Sequence, residues 1–278
     1  MASQKGSSDN NAKVLKVIAL VIILLFSISP LIWMLIVAFR VPDKIFEPIW
    51  MSPTGFTLDN IVGVLKSGFP KSILNSFTAA LGASSIALII GVPAAFSLAK
   101  WKIRGKNYYS WFVLLLRMAP PIGFAIPLFL FFVNFNMIDN IFGLIVAYLI
   151  ITLPLVIWLM WMYFSDLPNE LLESASIDGA SLWRTFFSIA LPLSKPGLVT
   201  AGILSFILAW NDFFFALILT RSKSSTGPVA IMDFLTYSSY NWSAIASASI
   251  LLALPTIPII FFMGKYIVSG IMGGSVKG

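Results

Sequence analysis

Six stretches of the chain, at roughly 14–39, 72–99, 108–133, 138–163, 197–220 and 243–270, run for about twenty or more mostly apolar residues, the length a helix needs to cross the ~30 Å hydrocarbon core of a bilayer. Inside that core no water takes up backbone N–H and C=O groups, so segments of this length and polarity must satisfy them internally as helices. With 59% hydrophobic and 10% charged residues, the chain falls far below the ~25% charged residues of a soluble domain. The expectation is an all-α integral membrane protein with six transmembrane helices. The first apolar run, after polar residues 1–13, is far longer than the ~7–15-residue core of a signal peptide and has no small-residue cleavage pattern behind it. It is expected to remain as a span. The chain has no Cys and no His, which excludes disulfides, thiolate or imidazole metal sites and a Cys or His catalytic centre.

Positive charge sets the orientation, because Lys and Arg are retained on the cytoplasmic side. The segment Lys100-Trp-Lys-Ile-Arg-Gly-Lys106 places four cations in seven residues without an anion, so it is read as cytoplasmic. Both termini and residues 164–196 then share its side, in the cell membrane. The net charge of +7 is accounted for by loops facing an anionic leaflet, with no call for nucleic acid. The layout is a cytoplasmic tail at 1–13, a first span with its external loop at 14–70, a five-helix core at 71–270 and a cytoplasmic tail at 271–278. The external excursion 40–71 carries Pro42, Pro48, Pro53 and Gly55, which leaves room for one short amphipathic helix near Asn60–Lys66.

Residues 165–196 form a polar, amphipathic island between spans. Pro168 suits the first turn of a helix, with Asp166 or Ser165 placed to cap it. Gly179 permits the backbone change that ends that helix, and Ser181 is placed to cap a second one carrying Trp183, Phe186 and Phe187. Leu191-Pro192 is expected to stop the second helix. The pattern predicts a short helix-turn-helix presenting a knob at the membrane surface.

The segment Glu173-Ser-Ala-Ser-Ile-Asp-Gly-Ala180, followed after about ten residues by Ile189-Ala-Leu-Pro192 and then Pro196, resembles the EAA loop of binding-protein-dependent ABC importer permeases. Ser174 stands where that pattern usually has Ala. The resemblance extends through Phe56-Thr-Leu-Asp-Asn60, Asn75-Ser76, Gly91-Val-Pro-Ala-Ala-Phe-Ser-Leu-Ala99, Arg117-Met-Ala-Pro-Pro121, Trp210-Asn-Asp-Phe213 and Gly273-Gly-Ser-Val-Lys-Gly278, and is nearest to the maltose-type subunit of the sugar importers. It implies a type I ABC importer permease fold with a cytoplasmic coupling helix. It also implies that Glu173, Ala175, Asp178, Gly179, Ala180, Leu191 and Pro192 face an ATPase subunit. The implied partners are a second, different permease, two ATPase subunits holding ATP and Mg, an extracytoplasmic binding protein that delivers a carbohydrate, and membrane lipid. The external loop 221–242 is a candidate docking surface.

Two ionisable residues fall deep within expected spans, where a charge costs ~2.5–3.5 kcal/mol on insertion scales. Arg117 lies ~14 Å into the third span and Asp212 ~22 Å into the fifth at 1.5 Å per residue. Lys16, Asp139 and Lys265 fall near span ends with water in reach. Arg117, Pro120, Pro121, Asn211 and Asp212 form a candidate translocation path. The alternative is an Arg that snorkels and an Asp that hydrogen-bonds a neighbouring helix. Pro93, Pro127, Pro154, Pro255 and Pro258 interrupt other spans, and Pro120-Pro121 beside Arg117 reads as the break of interest. The aromatic runs Phe129, Phe131, Phe132, Phe135 and Phe213, Phe214, Phe215 are read chiefly as packing or lipid-facing side chains. There is no phosphate-binding Gly-x-x-x-x-Gly-Lys-[Ser/Thr] loop and no carboxylate cluster suited to hydrolysis, so no catalytic residue, bound cofactor or metal is assigned. A self-sufficient secondary transporter or channel is the rival reading; a mid-membrane carboxylate relay would mark it, and only Asp212 qualifies.

Overall fold

The computed structural model describes residues 3–51, 55–101, 120–235 and 241–259, with positions 105, 108, 112, 113, 115, 118 and 261. Among the described residues four helices are long and apolar enough to cross a membrane: Lys13–Phe39, Phe69–Lys100, Ile141–Ser165 and Trp242–Ile259. A fifth results if Leu182–Leu193 and Lys195–Trp210, bent by 78°, count as one span. These correspond to the first, second, fourth and sixth apolar stretches. Much of the third, with Arg117, lies outside the described residues, as do Lys102, Arg104, Lys106 and the terminal 273–278.

The chain divides into two compact units. The first holds residues 1–67 and 233–251: α1 (Ser3–Phe39), α2 (Asp59–Lys66) and most of α10 (Trp242–Ala253). The span within α1 is apolar on every side and only 6% buried, which suits lipid or other subunits around it. Its C-terminal end is closed by polar side chains from elsewhere. Asn60 Nδ2 donates to the Ala38 and Arg40 carbonyls at 3.0 and 2.8 Å, and the Ser243 and Ser247 hydroxyls donate to the same two carbonyls. A helix end leaves four carbonyls unpaired, so Asn60 acts here as a cap supplied from a distance. Arg40 is 1% exposed and turns into the loop that follows. Its guanidinium donates to the Lys44 and Glu47 carbonyls at 2.7 and 2.8 Å and lies over the Phe56 ring.

The second unit, residues 68–232 and 252–278, is built on α3 (Phe69–Lys100), α5 (Ile141–Ser165) and α8 (Lys195–Trp210), each packed on the other two. On α3 the buried face reads Ser72, Ser76, Ala79, Ala80, Ala83, Ala87, Gly91 and Ala95. Small residues at this spacing let backbones approach where lipid offers no hydrophobic drive for helix association. The approach is tight: a Cβ at Gly91 would lie 2.9 Å from Val156 Cγ1, and Gly197 of α8 sits against the Tyr163 ring. One hydrophobic cluster gathers Phe132, Leu144, Tyr148 and Trp210; another gathers Phe96, Met160, Phe164 and Phe186.

Pro93 and Pro154 lie inside unbroken helices, so neither interrupts its span. Pro127 is in the first turn of α4 (Ala125–Asn134), where a missing N–H is tolerated. Pro120 does mark a break: it is extended (φ −67°, ψ 121°) before a 3₁₀ turn at Pro121–Phe124. The fifth apolar stretch is also broken. α8 ends at Trp210, Asn211-Asp212-Phe213 is not helical, and α9 (Phe214–Leu219) follows.

Candidate functional site

The polar island folds as two short helices, α6 (Asn169–Ile177) and α7 (Leu182–Leu193), the second with a π turn at Phe186–Ala190. Their junction follows from local chemistry. Gly179 has φ +78°, the left-handed position that glycine adopts without penalty. Around it the Ala180 N–H donates to Ala175 O at 2.9 Å and the Gly179 N–H to Ser176 O at 3.1 Å, the paired bonds of a Schellman ending. Asp178 is the C-cap. Ser181 caps the next helix, its hydroxyl accepting from the Arg184 N–H at 3.3 Å, as its position in the sequence predicts. The α6 start differs from expectation. Asp166 is the C-cap of α5, its N–H still bonded to Met162 O and Phe164 O, so it is committed to the preceding helix. Pro168 is the N-cap of α6 and makes no side-chain cap bond.

Leu191-Pro192 does not stop α7, which runs to Leu193; the turn comes at Ser194. A Pro ring clashes with the carbonyl four residues back. Here the helix has widened before it: the Leu191 N–H reaches Phe186 O, five residues away. Ala175 is buried; Glu173, Asp178, Gly179 and Pro192 are exposed, and Ala180 and Leu191 lie between. The junction thus brings together Ala175, Asp178, Gly179 and Ala180, with Glu173 on the free side of α6 and Leu191-Pro192 at the far end of α7.

The island's outer surface is apolar as well as charged. Ile177 is 87% exposed and Trp183 66%, with Leu182 and Phe187 also open, and Trp183 stacks on Phe187 at 5.9 Å. Beneath, Phe186 is buried among Phe96 and Phe164 at ring distances of 5.1 and 6.2 Å. A cavity of about 110 Å³ lies between the end of α3 and α7, lined by Phe96, Trp101, Leu182 and Trp183 among others. Lys100 ties the last turn of α3 to the island: its Nζ donates to Leu167 O at 2.6 Å and Asn169 Oδ1 at 3.0 Å.

At the break after α8, Asp212 accepts the Phe215 and Ala216 N–H groups at 3.0 and 3.2 Å, and Tyr148 hydrogen-bonds to it. Its carboxylate therefore closes the free amides at the start of α9. Asn211, exposed, donates to Ile207 O at 2.9 Å and closes the end of α8. Asn and Asp are cap residues, a signal present in the sequence but hidden inside an apolar run. Phe214 and Phe215 join the cluster that holds Leu128, Phe129 and Phe132 of α4, so these aromatics serve packing; Phe131 and Phe135 are exposed. Pro120 and Pro121 are both exposed.

Span-end position gave Asp139 no role, yet it is the most heavily bonded carboxylate among the described residues. Its Oδ1 accepts the N–H groups of Arg221, Lys223 and Ser224 at 2.9, 3.1 and 2.9 Å and the Ser224 hydroxyl at 2.9 Å. Burial would raise its pKa, but the donors from Ser224, Arg221 and Lys223 outweigh it and hold the carboxyl below its ordinary value. It is ionised at neutral pH. From the other side, Asn75 Nδ2 donates to Lys223 O and Ser225 O at 3.2 and 2.9 Å, and the Ser76 hydroxyl accepts the Gly227 N–H at 2.8 Å.

Comparison with known proteins places this geometry in context. Residues 87–267 match the family model described as "binding-protein-dependent transport system inner membrane component". The trehalose/maltose transport system permease protein of Thermococcus litoralis is 34% identical over 271 residues, covering 96% of this chain and 97% of the relative. The trehalose transport system permease protein of Mycobacterium tuberculosis is 33% identical over 257 residues, covering 91% and 93%. Among solved structures, a bacterial ABC transporter involved in the import of the acidic polysaccharide alginate superimposes with a TM-score of 0.78 at 22% identity, covering 93% of this chain and 97% of that one.

Proposed function

The chain belongs to the family of binding-protein-dependent transport system inner membrane components, and we propose on that footing that it is the permease subunit of an ATP-driven importer for a carbohydrate. The observation that carries the substrate class is similarity over almost the whole chain to permeases of trehalose and trehalose/maltose systems. In the finer reading the chain crosses the membrane six times with both termini in the cytoplasm and pairs with a second permease. Two ATPase subunits bind ATP and Mg. The helix pair α6 and α7 docks on one of them. Its exposed Ile177, Leu182, Trp183 and Phe187 support that docking, because an apolar surface rimmed by charge marks a protein partner. Nucleotide-driven closure of the ATPases moves the island, and the helix bundle opens a path to either side in turn. On the outside, a binding protein loaded with sugar meets the loop after α9. The alginate importer's complex with a pentasaccharide-bound periplasmic protein supports a partner of that kind.

The test is reconstitution. This chain alone in liposomes is expected to hydrolyse no ATP and to concentrate no sugar. The full assembly with an ATPase, a second permease and a binding protein should accumulate trehalose or a related oligosaccharide only with ATP. Uptake by the isolated chain on an ion gradient would establish the rival secondary transporter.

A further inference from the structure

The loop from Arg221 to Gly227 is fastened at both of its edges by residues far away in the chain. Asp139, 82 to 85 positions from the groups it binds, gathers four donors on one oxygen, and Lys223 adds a further bond to Oδ2 at 3.2 Å. Three of those donors are backbone amides of one turn, at Arg221, Lys223 and Ser224, so the turn is folded around the carboxylate. Such convergence suits an ionised acceptor, because charge-assisted bonds are the stronger kind. Asp139 is itself fixed, with its N–H on Leu219 O at 2.8 Å and a left-handed backbone at φ +52°. The opposite edge is held by Asn75 and Ser76, about 150 positions away. The side chain of Lys223 and Ser222 remain exposed on the loop so held.

We propose that Asp139 is a positioning residue for transport: it prefolds residues 221–227 into the shape that the extracytoplasmic binding protein meets, so that docking does not have to order the loop. The proposal rests on the reading that this loop receives the binding protein. A partner that meets a disordered loop must pay for its ordering out of binding free energy, so loosening the turn weakens docking without touching the steps that follow.

The chain has no cysteine, so Ser222→Cys gives a single attachment point on this subunit for a nitroxide. In the assembled transporter its spectrum should show restricted motion. Asp139→Gly removes the acceptor and keeps a residue suited to positive φ, and the spectrum should narrow. Asp139→Asn, which tolerates the same backbone and keeps one acceptor oxygen, should fall between. With unlabelled complexes in proteoliposomes and the sugar-binding protein of the assembly titrated in, Asp139→Gly should raise the half-saturating concentration about tenfold or more at a retained maximal rate. Asp139→Asn should recover part of that loss. An unchanged spectrum in Asp139→Gly overturns the proposal. So does a loosened loop with unchanged half-saturation, or a lower maximal rate alone, which would give Asp139 a general structural role. A wild-type complex indifferent to the binding protein removes the docking reading, and the proposal with it; the spectra then still report separately whether Asp139 holds the loop.

Discussion

Gly179 stands at φ +78° with nothing within 4 Å of where a Cβ would be, so a substitution there strains the backbone and nothing else. An L-residue in the left-handed region costs ~1–2 kcal/mol, while Asn visits it readily. Gly179→Val should therefore misdirect α7 and reduce both the ATPase retained on purification and the hydrolysis stimulated by substrate, whereas Gly179→Asn should keep most of each. Full retention in the Val variant would remove the role of this junction. Gly179 and Ser181 were legible in the sequence because their partners lie within five residues. Asp212 was legible only as a buried charge, since the break it caps contains neither Gly nor Pro. Asp139 was not legible at all: every donor it binds lies more than 80 residues away, and no local pattern encodes such a partner.

Elements reveal where local rules compete. The sequence pattern predicts that Pro192 ends α7, but the chain absorbs the ring with a π turn and bends two residues later. A span was expected across 197–220, and its apolar composition is real, but apolarity measures suitability for lipid and does not guarantee an unbroken helix. The helices α3 and α5 were readable because each is an apolar run long enough to cross a bilayer. The tie between α3 and the island was not, since Lys100 also fits a loop of cytoplasmic cations. Lys100→Met keeps the aliphatic stem and removes the donors to Leu167 O and Asn169 Oδ1. In proteoliposomes it should hydrolyse ATP at close to the normal rate while importing fewer sugar molecules per ATP, and Lys100→Arg should recover part of the ratio. An unchanged ratio in Lys100→Met would show that α3 follows the island without this contact.

For the whole molecule, we propose that orientation follows from the charge between the second and third spans. A reporter inserted between Lys100 and Lys106 should be active on the cytoplasmic side; activity outside would place the island away from any ATPase. The membrane class and the family were legible from end to end because hydropathy and the EAA-like segment are properties of the bare chain. The path for solute was not, because it depends on which helix faces are left open once all subunits assemble. The 78° elbow at Ser194 has a mechanical meaning. Pro192 and Pro196 flank it. Pro196 offers no N–H across the bend, but the Ser194 N–H reaches Ala190 O at 3.0 Å and the Leu198 N–H reaches Ser194 O at 2.9 Å, so the corner is held and the two arms can act as a bell crank. By helix rise α7 is ~18 Å long and α8 ~24 Å. A swing of about 10° that shifts the tip of the first by ~3 Å sweeps the tip of the second by ~4 Å by the same geometry. On the docking proposed above, sideways travel of α7 would be turned and slightly amplified at Asn211-Asp212, where the helix is already cut.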